Sequence, residues 1–412
     1  MKKEGEKVME ASGSPDQACA RRAMAHVLYL SQEIGPRGSC TAGERQAAVY
    51  AAEQMRAAGA AGVRLEPFRG APSTYRPYAL AFVAALLGAL LVWLAGGRWS
   101  LAAAALLSAL GAWGMWAETD LAGNWLRWLL PRATSQNAVG VVAPAGEVRR
   151  RVVLCAHLDT HRTPVFYSSQ RWHTLFGLLV AGAFVGLVLG AVLYGLGALW
   201  GWDWARWPGL AAVAVQVLAL ALCLHAEATP FSPGANDNAT GAGVALALAE
   251  RLARQPLAHT ETWLAFTGCE EVGAYGMIDF LDHHAADLGP ETVYVIADQV
   301  GAGRLIYLTA DGLIRKRKTH PRALALARRA EAALPGLEIV ERVGIAYTDA
   351  LVATRRGLVA LTLCALPRPG EGQGSHWHQM SDTAEHLDEA ALTDACAFVW
   401  QILQEVDGGS QS

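Results

Sequence analysis

Four stretches of this chain lack any charged residue: 79–97, 99–117, 174–202 and 207–224. A helix rises about 1.5 Å per residue, so roughly 20 apolar residues cross the hydrocarbon core of a bilayer. All four stretches are long enough, and the third can tilt or extend beyond the core. Tryptophans sit near their ends (Trp93, Trp99, Trp116, Trp200, Trp202, Trp207), where an amphipathic ring fits a membrane boundary. The fourth stretch is the weakest, because Pro208 and Gln216 interrupt it. Buried helices of a large soluble protein are the rival reading, but four such runs in two close pairs exceed ordinary core patterning.

The pairing matters more than the number. Arg98 alone separates the first two stretches, and Asp203–Arg206 separates the other two. Each pair reads as a transmembrane hairpin, 78–117 and 174–225, so 1–77, 118–173 and 226–412 all return to one side. Those three segments can then assemble one soluble unit. The hairpin tips carry only Arg98 and Arg206, whereas the opposite side carries Arg64, Arg69, Arg76, Arg127, Arg132, Arg162 and Arg171. Basic residues near spans favour the cytoplasm, so the soluble unit is expected there, on an integral protein of the inner or plasma membrane. The start, MKKEGEKVMEASGSPD, has no apolar stretch behind its lysines and does not read as a secretory signal. That start and the GGSQS tail read as frayed.

Composition agrees with a lipid bilayer as one partner: 53% of residues are apolar and the mean hydropathy is +0.22. A balance of 34 basic against 37 acidic residues, −3 overall, argues against a nucleic-acid partner. The seven cysteines are odd in number and show no CxxC spacing, which points to buried thiols in a reducing compartment.

Outside the apolar runs, strands are expected at 152–156, 262–267, 293–297 and 359–364, and helices at 43–58, 239–254 and 321–334. This alternation predicts an α/β sandwich, a mostly parallel mixed sheet between helices, with the four transmembrane helices inserted into it. The strand ends carry the chemistry. VVLCA runs into His157 and Asp159, TWLAFT into Glu270 and Glu271, and VYVIA into Asp298. After VALTLC come a glycine-rich loop and then His376, His378 and Asp382. Asp237 stands just before the 239–254 helix. Open α/β sheets bind ligands beyond the carboxyl ends of their strands, and imidazole with carboxylate suits zinc. Singly, each residue has a plainer reading. Asp237 could cap a helix, adjacent glutamates are usually solvated, and His376 competes with His378 as a ligand.

Five signatures in order, AHLDT (156–160), GANDNATGAG (234–243), TGCEEVGAYG (267–276), ADQ (297–299) and WHQMSDT (377–383), resemble the di-zinc aminopeptidase family. That family includes secreted bacterial leucine aminopeptidases and the glutamate carboxypeptidase group. IGPRGS (34–39), Val63–Phe68 and SQNAVGVV (135–142) are similar to its N-terminal part, so the resemblance covers 20–75 and 133–405 apart from the inserts. The resemblance implies a zinc-peptidase fold, two Zn2+ per chain (other divalent metals also fit such donors) and a peptide substrate. Asp237 would bridge the ions, His157 and Asp298 would complete one site, and Glu271 and His378 the other. Glu270 would be the general base. Asp159, beside the catalytic centre, would orient His157, and Asp382 would orient His378. It also implies a cis peptide at Asp237–Asn238. His376 and Asp349 are candidates for contact with substrate.

The main departure is the insert between Asp159 and Asp237, which the family joins by a short loop. It would bring the active site close to the membrane surface. The expected activity is aminopeptidase. The alternatives are an amidohydrolase, dipeptidase or carboxypeptidase, or a membrane scaffold or transporter whose peptidase-like part no longer catalyses. Arg315–Lys318 reads as a solvated face that would touch anionic headgroups if it faced the bilayer. His225 and Glu227 read as interfacial, and 370–374 as a flexible loop beside the site. The oligomeric state is left open.

Overall fold

The computed structural model describes residues 14–201, 203–366 and 376–409. The charged start up to residue 13, Trp202, the glycine-rich loop at 370–374 and residues 410–412 lie outside them. The strands are β1 (Ala61–Gly70), β2 (Ala133–Val142), β3 (Arg150–His157), β4 (Thr260–Thr267), β5 (Val293–Ala297), β6 (Arg304–Asp311), β7 (Arg317–Lys318), β8 (Val340–Val343) and β9 (Val359–Leu366). The helices are α1 (Pro15–Leu28), α2 (Ala42–Ala57), α3 (Tyr75–Ala95), α4 (Gly97–Thr119), α5 (Trp125–Leu129) and α6 (Gln170–Trp200). They continue with α7 (Gly209–Ala228), α8 (Gly241–Arg254), α9 (Tyr275–Leu288), α10 (Pro321–Ala333), α11 (Asp349–Arg355) and α12 (Glu389–Gly408).

All nine strands join one sheet in the order β1-β2-β4-β3-β5-β9-β6-β7, with β8 on β6. The central run β4-β3-β5-β9 is parallel, and β1, β2 and β6 add antiparallel edges. Both faces of the centre are buried, so period-two alternation sends successive side chains into two different cores. On β3, Val152, Leu154 and Ala156 enter the core under α1, α2, α8, α10 and α12. Val153 and Cys155 enter the one under α9 and α11. Tyr294 and Ile296 of β5 and Ala360 of β9 repeat the pattern. Each large apolar side chain so buried contributes about 1.5–3 kcal/mol.

The strands expected from sequence appear within two residues of their expected bounds, as do the helices. Three strands that the sequence reading did not anticipate, β6, β7 and β8, extend the sheet beyond β9.

The four helices α3, α4, α6 and the stretch Asp203–Ala228 containing α7 are long and apolar enough to cross a membrane. They close into a bundle in which α3 packs on α4 and α7, and α6 packs on the same two. Small residues allow the close approach: a Cβ on Gly88 of α3 would stand 2.8 Å from the Ala104 Cα of α4. Large apolar side chains such as Leu94, Leu106 and Leu178 project outward instead.

Both hairpins enter the soluble part where two strands already meet. The chain leaves β1 at Gly70 and returns on β2 at Ala133, and these two residues are register partners. The second hairpin leaves and returns at an antiparallel bridge between Arg162 and Phe231. The Ser232 amide donates to the His161 carbonyl (2.9 Å) and the Thr163 amide to the Pro230 carbonyl (3.0 Å). At the base of the bundle, Glu227 on α7 accepts from the Ser73 hydroxyl and from Arg76 Nε (2.9 Å).

Gly88→Val places two methyl groups against the α4 backbone. It is expected to destabilise the bundle by about 1–3 kcal/mol, read as an earlier thermal transition in detergent. Leu94→Ala, on the outward face, is expected to leave that transition unchanged.

Candidate metal centre

Parallel strands end together, and that alone gathers most of the site. His157 is the last residue of β3, and Asp298 follows β5, with its amide donating to the Leu363 carbonyl of β9 (2.9 Å). Glu270 and Glu271 follow β4 after the turn at Gly268 and Cys269. Gly268 is obligatory, because a Cβ there would lie 2.5 Å from Ser135 Oγ. Asp237 comes from the turn Ala235–Thr240 before α8, and the peptide Asp237–Asn238 is cis, as the resemblance implied. Asn238 holds this turn to β5. Its Nδ2 donates to the Ala297 carbonyl (2.9 Å), and its Oδ1 accepts from the Gly241 amide (2.9 Å).

All of these side chains are buried. His157 Nε2 lies 3.2 Å from Asp237 Oδ1 and 3.5 Å from Asp298 Oδ1. His378 Nε2 lies 3.2 Å from Asp237 Oδ2 and 3.2 Å from Glu271 Oε2. Asp237 therefore faces one imidazole with each oxygen. A single N–H on either ring can serve only one of its two carboxylates well, whereas a cation between them satisfies all three groups. Glu270 Oε1, Glu271 Oε1, Asp298 Oδ1 and His378 Nδ1 are buried without a hydrogen-bond partner among the described residues. His157, Asp237 and Glu271 place donor atoms within 4.8 Å of one another, as do His161, Glu271 and His378. The donor set fits zinc.

The charge state reflects this crowding. Burial pushes the Glu270 carboxyl well above the ordinary range, His157 pulls it down, and Glu271 and Asp349 push it further up. Glu271 rises to about 7 through burial and the proximity of Asp237. Asp237 stays below its usual value: burial opposes ionisation, but hydrogen bonds to His157 and His378 outweigh it. Burial lowers the proton affinity of His378, but Glu271 and Asp237 more than reverse this and bring it to about 9.

Two expected roles change in the structure. Asp159 orients His157 through its main-chain carbonyl, 3.1 Å from Nδ1, with its carboxylate no closer than 3.6 Å. The carboxylate instead accepts from the Glu270 amide (3.0 Å), the Glu271 amide (3.1 Å) and the Ser39 hydroxyl (2.6 Å). Asp382 accepts from the amides of Asn236 (2.7 Å) and Asp237 (3.1 Å), leaving His378 Nδ1 without it. Both carboxylates hold turns that carry the donors rather than the rings themselves.

The two substrate-side candidates have partners of their own. Asp349 is 1% exposed and accepts from the Thr267 hydroxyl (2.6 Å), so it supports the end of β4 from behind. His376 stacks on His386, and its Nδ1 pairs with the Ser381 hydroxyl (2.8 Å).

Sequence reasoning missed four residues here. His161 stacks on His378 with centroids 3.7 Å apart, and its Nε2 lies 3.3 Å from the Tyr75 hydroxyl at the start of α3. Burial and the neighbouring His378 keep its proton affinity well below the ordinary value. Tyr167 packs edge-on against His378 at 4.5 Å. Arg37 is wholly buried and donates to the carbonyls of Leu30, Gly35, Leu158, Pro233 and Gly234. Glu44 accepts from the amides of Cys40 and Cys269 and the hydroxyl of Ser135, so the nearby Cys40–Glu44–Cys269 group has its carboxylate already engaged. Only the HLDTH spacing of His161 from His157 offered a signal in the sequence.

The model of peptidase family M28 matches residues 205–403. A probable lipoprotein aminopeptidase of Mycobacterium tuberculosis, LpqL, is 26% identical over 200 residues, 41% of this chain and 38% of that protein. The aminopeptidase YwaD of Bacillus subtilis is 37% identical over 94 residues, 21% of this chain and 20% of that protein. The chain thus spans well under half the length of these relatives. Among solved structures, a zinc aminopeptidase from Bacillus subtilis matches with a TM-score of 0.56 and 18% identity, over 94% of this chain and 95% of that one. A glutaminyl cyclase of Bacteroides thetaiotaomicron matches at 0.54 and 14%, over 95% and 98%. At these identities the structural likeness is one of fold. The chain is thus similar to peptidase family M28 over just under half of its length, and its fold is that of the zinc aminopeptidases.

Proposed function

We propose that the chain is a membrane-embedded aminopeptidase that holds two zinc ions and hydrolyses the N-terminal peptide bond of its substrate. Asp237 carries this reading, because its two oxygens each lie 3.2 Å from a different imidazole nitrogen. One ion would be held by His157, Asp237 and Asp298, the other by Asp237, Glu271 and His378. Other divalent metals suit the same donors. Bound zinc supplies Lewis acidity toward the scissile carbonyl and makes the attacking water more acidic. Glu270 takes the proton from that water and returns it to the leaving amine. Its burial gives it the high proton affinity that such a base needs. The amide of Glu270 is fixed by Asp159 and its carbonyl accepts from the Tyr347 hydroxyl (3.3 Å), so its backbone is held on both sides.

Four long apolar helices support membrane embedding, and the basic residues on the soluble side of both hairpins support a cytoplasmic catalytic part. Protease added to the outside of sealed spheroplasts is expected to leave the catalytic part intact. Its digestion there would reverse the orientation.

Zinc aminopeptidases and glutaminyl cyclases share this fold, so a substrate panel decides the reaction. Aminoacyl, N-blocked, C-terminal dipeptide and N-terminal glutaminyl peptides are compared on one sample whose metal content is also measured. Release of free N-terminal residues with close to two zinc ions per chain is expected. Turnover confined to N-blocked or glutaminyl peptides would replace the aminopeptidase reading, and less than one ion per chain with no turnover would favour a non-catalytic role. Glu270→Gln is expected to retain metal and lose about 10²–10⁴-fold in kcat. Full activity in that variant would remove Glu270 as the base.

Stability of the chelated protein should depend on pH in a definite direction. Burial and Asp159 bring Glu44 to about 8. Burial brings Asp311 to about 7, and burial with Asp237 brings Asp382 to about 7. A carboxyl raised in the folded state contributes its stability below the unfolded pKa, near 4, and loses it as pH rises through the folded value. Chelator-treated protein is therefore expected to melt progressively earlier from about pH 5 to pH 8, each kcal/mol moving Tm by about 2–4 °C. Added zinc is expected to flatten that slope. A Tm that rises over this range without metal would contradict the assignment.

A further inference from the structure

A second cavity, of about 720 Å³, lies between α5, the end of β1, α9 and α11, away from the metal donors. Five arginines line it, Arg69, Arg127, Arg132, Arg355 and Arg356, together with Trp128. Arg127 is buried, and its Nε donates to Glu118 (2.9 Å), but its Nη2 has no hydrogen-bond partner among the described residues. Arg355 Nη1 donates to the Leu121 carbonyl (2.7 Å), while its Nε is buried without a hydrogen-bond partner among the described residues, 3.8 Å from Asp120. Arg127 and Arg132 both lie over the Tyr275 ring, at 4.7 and 4.4 Å. Arg69 and Arg132 have no carboxylate partner among the described residues; Arg69 donates instead to the Arg132 carbonyl (2.6 Å). Two acidic residues share the wall. Asp282 pairs with Arg356 (2.8 Å), and Asp279 faces His283 (3.4 Å).

The position of this cavity identifies its occupant. It opens beside the end of α4, one of the four helices able to cross a bilayer. After α4 the chain folds back, and Trp125 Nε1 donates to the Leu110 carbonyl (2.8 Å) within that helix. α5 therefore runs alongside the last turns of a spanning helix, with Trp128 71% and Leu129 70% exposed. An aromatic and an aliphatic side chain exposed at that level belong to a membrane interface. The Arg315–Lys318 run is tied to the same place, because Arg317 pairs with Asp120 at the end of α4 (2.6 Å). The guanidinium groups of Arg69 and Arg132, without a carboxylate partner among the described residues, match at headgroup depth a phosphate, whose oxygens accept from several N–H donors at once.

We propose that this cavity binds the phosphate-bearing headgroup of an anionic membrane lipid. The inference rests on the membrane-embedded reading above. Full-length protein is reconstituted in an equal mixture of phosphatidylcholine and phosphatidylglycerol, and the lipid it retains is measured by native mass spectrometry. Phosphatidylglycerol is expected in excess over phosphatidylcholine by about fivefold or more, the effect of roughly one arginine at a headgroup. Arg69→Gln with Arg132→Gln is expected to bring the ratio close to parity without changing Tm. Should that double variant fail to fold, Arg356→Gln, on an exposed residue, is expected to lower the ratio by itself. Parity in the unaltered protein overturns the inference. So does displacement of the lipid by inorganic phosphate at matching concentration, which would assign the cavity to the free anion. Release of the protein from membranes by alkaline carbonate without detergent would overturn the membrane reading. Protein that needs detergent but binds both lipids equally overturns only the headgroup site.

Discussion

The rest of the structure depends on the cost of gathering carboxylates out of water. Asp159, Asp237, Glu270, Glu271, Asp298, Asp349 and Asp382 are all buried around one end of the sheet. Ionised carboxylates there must be paired, hydrogen-bonded, neutralised or bound to a cation. Each solution appears. Asp159 and Asp382 each accept two main-chain amides, and Arg37 lies close enough for Asp382, Asp159 and Asp237 to oppose the fall in its own pKa that burial causes, to about 10. Its guanidinium donates only to carbonyls, from the segment after α1, the end of β3 and the turn before Asp237. One buried cation thus fixes three separate chain segments and offsets part of the charge that they carry. Among the described residues Glu270, Glu271, Asp298, Asp349 and His378 each leave one buried atom without a hydrogen-bond partner, and metal binding would act on those of Glu270, Glu271, Asp298 and His378.

This logic explains which parts of the molecule were legible in the sequence. Strands buried on both faces read as short apolar runs, and the donors follow those runs directly, so His157, Glu270, Glu271 and Asp298 stood out. The four apolar helices were legible because composition alone marks them. Arg37 and Glu44 were not, because each acts on main-chain groups far away in sequence, and no residue pattern announces a carbonyl acceptor. Asp159 and Asp382 were recognised as important, but the main-chain amides that their carboxylates accept from were not foreseen. Whether a carboxylate meets a ring or an amide depends on a turn's path, and spacing does not specify that. β7 and β8 were missed because two- and four-residue edge strands carry too few side chains to show a period.

The hairpins raise the question of how two long apolar excursions can interrupt one sheet without disrupting it. Closure entropy grows only as the logarithm of loop length. Replacing a turn of about four residues by a segment of about sixty costs roughly 2–3 kcal/mol. Both excursions begin and end on residues that already pair, Gly70 with Ala133 and Arg162 with Phe231, so their ends meet whatever lies between. The sheet therefore does not depend on the bundle for its register. The bundle, in turn, touches the site where the second neck emerges. The His161 carbonyl accepts from Ser232 across that neck, its ring stacks on His378, and Tyr75 at the start of α3 reaches its Nε2. A histidine that closes the neck and leans on a metal donor makes the geometry of the centre continuous with the packing of α3 against the soluble part.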